Sequence, residues 1–167
     1  IRVYKKTSAG RRNASVNMHA EVTKFSPEKA LLVKQVKSGG RNHSGKITSR
    51  GIGGGVKQMY RLVDFKRKDR DGIEGVIIGI EYDPNRSCHI ALVKYADGAK
   101  RYIPAANGMK DGMKIMTSST GAIEPSIGNA MPLKYIPTGL EVHCVELIPG
   151  RGAQMCRSAG TFAKLSN

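Results

Sequence analysis

A glycine-rich loop is the first pattern in this chain that could do chemistry. Residues 40–46 (GRNHSGK) have the spacing of a loop that cradles nucleoside phosphates. Ile47 follows where such a loop needs Ser or Thr to hold Mg²⁺, and no helical pattern begins there. A nucleotide-dependent enzyme, in which Lys46 would hold a triphosphate, is therefore disfavoured.

Cysteine and histidine stand side by side twice, at residues 88–89 and 143–144. Neighbours on a strand point to opposite faces, so neither pair is expected to share a metal ion or to act as nucleophile and base. Glu81 and Asp83 could share a face, but Asp83 opens a DPNR turn, where its side chain should accept hydrogen bonds from its own backbone. We predict that the chain is not an enzyme and has no metal site of its own.

Positive charge is concentrated at one end of the chain. The first 70 residues hold 18 Lys and Arg against 4 Asp and Glu, and the other 97 hold 10 against 9, which together give the net charge of +15. Such repulsion is tolerable where a polyanion neutralises it. Nucleic acid is the first expected partner and an anionic membrane the second, although no stretch approaches the ~20 apolar residues of a membrane span.

A second glycine run lies inside this basic leader. Gly53, Gly54 and Gly55 follow Arg50 and precede Lys57, so bare backbone could approach phosphate oxygens between flanking cations. A flexible linker is the alternative for residues 38–57. The charge run at 64–70 (DFKRKDR) is either a solvated loop with local ion pairs or a continuation of the RNA-binding leader, and both readings stay open.

The elements that must carry these residues are short strands. Residues 1–40 predict an arm that orders on its partner, with one short helix from Pro27 to Val36. β-Branched residues and turn signals then recur every 8–12 residues, which predicts an all-β chain of small barrels. The predicted strands are 75–82, 89–95, 100–103, 114–117, 133–136, 141–148 and 161–165.

Several phrases, taken in order, resemble the ribosomal protein L2 family of the large subunit. They include SGGRN at 38–42, GKITSRGIGGGVKQMYRLVDFKR at 45–67, IEYDPNRS at 80–87, PGRGAQ at 149–154 and RSAGT at 157–161. The resemblance implies a basic extension with a glycine-rich loop (1–57), an OB-fold barrel (58–125) and the first part of an SH3-like barrel (126–167). It also implies a structural protein that binds rRNA near the peptidyl-transferase region and supports subunit assembly and association in translation.

The sequence departs from this family in two places. Val56 stands after the triple glycine where the family usually has His, and the chain stops soon after RSAGT. We therefore expect either a separate chain that supplies the C-terminal half or a truncated chain. This division and the PGRGAQ phrase favour a ribosome in the mitochondrial matrix, with bacterial cytoplasm and chloroplast stroma as alternatives.

Large-subunit rRNA and neighbouring ribosomal proteins are thus the expected partners, with no membrane and no cofactor other than Mg²⁺ carried by the rRNA. The alternative is a stand-alone OB-type RNA-binding module, such as a translation or RNA-chaperone factor. The expected RNA-binding residues are Arg11, Arg12, Arg41, Asn42, Lys46, Arg50, Gly53, Gly54, Gly55, Lys57, Tyr60, Arg61, Lys66, Arg67, Lys68, Arg86, Arg101, Arg151 and Arg157.

Overall fold

The computed structural model describes residues 1–166, and strands are its regular elements apart from two 3-10 turns. The all-β prediction is confirmed. The strands are β1 (Arg2–Val3), β2 (Ser15–Val16), β3 (Leu32–Lys34), β4 (Met59–Arg61), β5 (Gly75–Glu81), β6 (Ile90–Tyr95), β7 (Lys100–Pro104), β8 (Lys114–Ile115), β9 (Glu141–Val142) and β10 (Ala163–Lys164). Within residues 1–166, no helix is long and apolar enough to cross a membrane.

A four-stranded antiparallel sheet in the order β7-β6-β5-β8 forms the centre of the molecule. Its turns follow from local sequence: Gly98 takes φ of 83°, and the Ala99 N–H donates to Asp97 Oδ1 at 3.0 Å. The β3–β4 pair extends this sheet. Val63, which follows β4, forms a parallel bridge with Tyr102 of β7. The result is a curled half-barrel.

Strand β6 is buried on both faces. Ala91, Val93 and Tyr95 pack into one cluster with residues of β5, β7 and β8, whereas Ile90 and Leu92 pack with Tyr102 on the other side. The two-residue period of a strand therefore divides one run of apolar residues between two cores. A strand covered on both sides fixes its register, and with it the position of the turns at both ends.

Part of the leader, which the sequence predicts to be an arm that orders on its partner, is paired with itself or contacts the barrel. β1 pairs with β2, and the N–H groups of Thr23 and Lys24 both donate to the Ile80 carbonyl at 3.0 Å. Gly79 permits this approach, since a Cβ there would lie 2.8 Å from Lys24 Cβ. A bulge between Ile77 and Gly79 interrupts the β5 ladder at the same place. The segment that follows the β1–β2 hairpin and contains Thr23 and Lys24 is thus docked on the barrel, and we call it the docked segment.

Five of the predicted elements were wrong in type or length, and two of them, the strands expected at 114–117 and 161–165, are the two-residue strands β8 and β10. The helix expected at 27–36 is a 3-10 turn at Lys29–Leu31, because β3 begins at Leu32 and pairs with β4. The strand expected at 133–136 is a 3-10 turn at Leu133–Tyr135, after Pro132. The strand expected at 141–148 ends at Val142, since Cys144 takes φ of 55° and leaves the extended region.

Candidate nucleic-acid interface

The triple glycine forms an exposed loop whose backbone needs glycine for its dihedral angles. Gly53, Gly54 and Gly55 have φ of 145°, 68° and 74°; a Cβ at Gly54 would meet nothing, and one at Gly53 or Gly55 would make only an ordinary contact. Lys37 Nζ donates to the Val56 carbonyl at 2.7 Å and so links the loop to the segment before it. Among the described residues, none accepts a hydrogen bond from these three glycine N–H groups. They are therefore available to phosphate oxygens.

The preceding loop is a hairpin organised by one side chain. Arg41 bridges to Ile47, and Asn42 Oδ1 accepts hydrogen bonds from the Ser44 N–H and the Lys46 N–H, each at 3.0 Å. The loop does not lead into a helix, so the phosphate-cradle spacing found in the sequence is coincidental. Asn42 was expected to contact RNA, but its side-chain oxygen accepts hydrogen bonds within the turn. The cations of this loop, Arg41 and Lys46, are exposed.

Most of the expected cations of the leader are exposed and carry no acidic partner among the described residues. Arg11 lies over the Tyr4 ring at 5.6 Å, and Arg41 donates only to the Gly39 carbonyl at 3.3 Å. Tyr60 is 38% exposed, so its ring is accessible at the barrel surface. The expected RNA-binding cations of the leader that are exposed are Arg11, Arg12, Arg41, Lys46, Arg50, Lys57, Lys66 and Lys68.

A second group of cations gathers residues far apart in the sequence. Lys66 and Lys68 lie against the loop at residues 149–152 (PGRG): a Cβ on Gly152 would lie 3.1 Å from Lys66 Cγ, and one on Gly150 would collide with Lys68 Nζ. Arg151 is exposed on the same loop. We call Lys66, Lys68 and Arg151 the second cationic cluster.

An internal carboxylate shapes the loop that carries this cluster. Glu146 accepts hydrogen bonds from the Gly150 N–H at 2.6 Å and from the Gly152 N–H at 2.9 Å. These two N–H groups are thus already satisfied, and phosphate would meet the cluster through its cationic side chains.

All four of the expected RNA-binding arginines between residues 58 and 125 are hydrogen-bonded within the protein. Arg101 Nη2 contacts Asp69 Oδ2 at 2.9 Å, and Arg61 Nη1 donates to the Met59 carbonyl at 2.8 Å. Arg86 Nε donates at 2.6 Å to Asp83, whose side chain is fully buried. Asp83 Oδ1 also accepts the Asn85 N–H at 2.9 Å, as expected for the turn.

Arg67 is the fourth and the most enclosed. Its Nη1 donates to the Gly128 carbonyl at 2.7 Å, while Nε and Nη2 are covered and have no partner among the described residues. Burial lowers the pKa of its guanidinium, with Tyr95 and Asp64 opposing the shift. Because these atoms face inward, we leave Arg67 out of the proposed RNA contacts.

Phe65 joins the barrel to the C-terminal part of the chain. The Arg157 guanidinium lies 3.9 Å from the centre of the Phe65 ring, and that of Arg86 lies 5.4 Å from it. The Phe65 carbonyl accepts the Ala153 N–H at 3.0 Å. The charge run at 64–70 therefore serves first as a joint between two parts of the fold, which neither reading of the sequence had included.

A metal site made by protein ligands alone needs a cluster of metal-ligating side chains. Within residues 1–166, no group of three or more His, Cys, Asp and Glu side chains is arranged to hold a metal ion.

The interface also includes a residue that sequence reasoning missed, Lys37, whose role depends on carbonyl groups 17 and 19 residues away.

Two family models match the chain. The one described as "Ribosomal Proteins L2, RNA binding N-terminal domain" matches residues 28–117, and the one described as "Ribosomal Proteins L2, C-terminal domain" matches residues 126–167. The first match alone covers more than half of the 167 residues. It includes both glycine loops and the half-barrel, whereas Thr23 and Lys24 of the docked segment lie before it.

Proposed function

Because this chain belongs to the ribosomal protein L2 family, we propose that it holds large-subunit rRNA near the peptidyl-transferase region and supports subunit assembly and association. Family membership makes it a structural RNA-binding protein of the large subunit. The position on the rRNA and the assembly role are the proposal, and the resemblance of its motifs supports them.

The observation that carries the proposed mode of binding is the loop at residues 38–57. It combines exposed cations, among them Arg50 and Lys57, with three unpaired glycine N–H groups. Cations neutralise phosphates and release counterions, whereas bare backbone fits where a side chain would collide. The loop thus suits recognition of folded RNA by its shape and backbone.

The second cationic cluster extends this interface onto the C-terminal part of the chain. Lys66 and Lys68 belong to the leader by sequence, but they lie beside Gly152 and Gly150. The Phe65 joint holds these parts together through Arg157 and Ala153. We therefore propose that the two cationic regions bind one folded RNA at once, which raises affinity without any new contact.

We further propose a mitochondrial ribosome as the location, with bacterial and chloroplast ribosomes as alternatives. The support is the PGRGAQ phrase at residues 149–154, which differs from the more usual bacterial version. Labelling the protein in cells and fractionating the organelles would decide between these compartments. The separate C-terminal chain stays a prediction.

The salt dependence of binding to a large-subunit rRNA transcript tests the proposed mode. If about eight cations each neutralise one phosphate, the slope of log K against log salt should be roughly −6 to −7. The double variant Arg50→Ala/Lys57→Ala should bind more weakly, with a slope about 1.4–1.8 less steep.

A matched control removes two charges from the barrel. Lys94 is exposed on β6, and Lys114 Nζ pairs with Glu74 at 3.0 Å. Lys94→Ala/Lys114→Ala should leave the slope nearly unchanged. Equal slopes in all three proteins would show that the loop does not lie on the RNA backbone.

Sedimentation distinguishes the ribosomal role from the stand-alone RNA-binding module. The proposed protein should remain with large subunits in high salt, since many contacts hold it there. A free module would dissociate and would bind single strands reversibly. Recovery of the protein only in the soluble fraction would overturn the proposed function.

A further inference from the structure

Two histidines that are 70 residues apart meet at the edge of the barrel. His19 Nδ1 lies 3.0 Å from His89 Nε2, and the ring centres are 5.3 Å apart. His19 belongs to the docked part of the leader, whereas His89 directly precedes β6. Two facing ring nitrogens at this distance either share one hydrogen or accept a common metal ion between them.

The separation suits metal coordination. With metal–nitrogen bonds of about 2.0–2.1 Å, two imidazole nitrogens lie about 2.9 Å apart at a right angle and about 3.3 Å apart at the tetrahedral angle. The observed 3.0 Å falls between these limits. An ion could therefore enter between the rings with small movements of either side chain.

A carboxylate stands at the other nitrogen of one ring. His89 Nδ1 lies 3.5 Å from Glu21 Oε2, and the His89 side chain is only 13% exposed. A carboxylate at one ring nitrogen favours the tautomer with its hydrogen there and leaves the opposite nitrogen free to coordinate. The Glu21 side chain is 77% exposed, so it can move the short distance that a hydrogen bond to His89 Nδ1 requires, which is the arrangement usual behind a metal-binding histidine.

The backbone holds His19 in place before any ion arrives. Its φ is 47°, its N–H donates to Asn17 Oδ1 at 3.0 Å, and its carbonyl accepts the Val22 N–H at 3.0 Å. Val22 is buried, and the Thr23 N–H then donates to Ile80 of β5. The turn is thus anchored on the barrel, so little ordering is needed on binding.

We propose that His19 and His89 form a transition-metal site, with Glu21 supporting His89 from behind. Imidazole suits Zn²⁺, Ni²⁺ and Cu²⁺, and affinity should rise from Ni²⁺ to Cu²⁺. Since no third protein ligand stands nearby among the described residues, water completes the coordination. A bound ion would tie the basic leader to the barrel independently of RNA.

Titration of the full chain with NiCl₂, in the absence of RNA, tests this site. Calorimetry should show one equivalent bound, and His19→Gln should weaken binding by at least the roughly 10–100-fold that loss of a supporting partner costs. Glu21→Gln should cost about tenfold. The other two histidines give controls: His43→Gln and His143→Gln should bind like the parent.

Thiol ligation is the competing explanation, because Cys88 adjoins His89. Cys88→Ser should leave Ni²⁺ binding unchanged, and the Co²⁺ form should lack a thiolate charge-transfer band. If His89→Gln fails to fold, His19→Gln decides alone, since His19 lies in a surface turn. No binding, or binding that survives His19→Gln, would overturn the metal site and leave the RNA proposal untouched.

Discussion

The Arg157 guanidinium lies 3.9 Å from the centre of the Phe65 ring, with Arg86 at 5.4 Å. Two motifs of the sequence, DPNRS at 83–87 and RSAGT at 157–161, thus meet at one aromatic side chain. The Ala159 N–H adds a direct link by donating to Ser87 Oγ at 3.2 Å. The charge pattern of the sequence assigns Arg86 and Arg157 to RNA contacts. In the structure, they connect two parts of the protein.

Removing the Arg157 guanidinium should weaken the contact between the DPNRS and RSAGT motifs. An exposed cation–π contact contributes about 0.5–1 kcal/mol, so Arg157→Ala should speed amide exchange at Ala159 about twofold to fivefold. Hydrogen exchange followed by mass spectrometry measures this. Arg12→Ala, which removes an exposed cation of the leader, is the control. Unchanged exchange at Ala159 would mean that the ring contact is not what holds the loop.

Tyr102 should be important for the stability of the half-barrel. Its side chain is fully buried; the hydroxyl donates to Glu81 Oε2 at 2.7 Å and accepts the Glu28 N–H at 2.8 Å. Tyr102→Phe leaves Glu81 Oε2 and the Glu28 N–H without this partner, although Lys24 Nζ still binds Glu81 Oε1, and it should lower the free energy of unfolding by about 1–3 kcal/mol. Urea denaturation measures the change.

The matched control for that substitution is Tyr82→Phe, whose ring is 49% exposed. It should change the free energy of unfolding by no more than about 0.5 kcal/mol. Equal effects of the two variants would argue against a stabilising role for the buried hydroxyl.

Two glycines of the hairpin loop should respond differently to the same substitution. Gly40 and Gly45 have φ of 72° and 77°, but a Cβ would collide with the Ser49 carbonyl only at Gly40. Gly45→Ala should cost about 1–2 kcal/mol of backbone strain, and Gly40→Ala more. Exchange of the Thr48 N–H, which donates to the Gly40 carbonyl at 2.9 Å, reports the difference. A larger effect at Gly45 would contradict the close approach.

Cys144 should react slowly with alkylating agents. Burial raises the pKa of its thiol to about 11. At pH 8 only about one molecule in a thousand is then the reactive thiolate, and the rate should rise about tenfold per pH unit until the pKa is reached. Iodoacetamide labelling with peptide mass spectrometry measures this. Labelling at the rate seen in urea-unfolded protein would show that the thiol is not buried.

Short-range patterns in the sequence predicted much of the central sheet. The strands at 75–82, 89–95 and 100–103 correspond closely to β5, β6 and β7, because alternation and turn residues act over a few positions. Asp83 accepts from its own turn as expected, for the same reason. After residue 126 this reasoning was weaker, since Pro132 and the left-handed Cys144 interrupt runs that looked extended.

The sequence by itself determined the segregation of charge, the all-β class and the glycines that the two exposed loops require. These are properties of composition and of neighbouring residues. The tertiary structure alone decided which cations remain free, because the partners of Arg67 and Arg157 lie 61 and 92 residues away. It also brought His19 to His89, since a side chain's partner is set by how the strands are paired and packed, over separations that no local pattern spans.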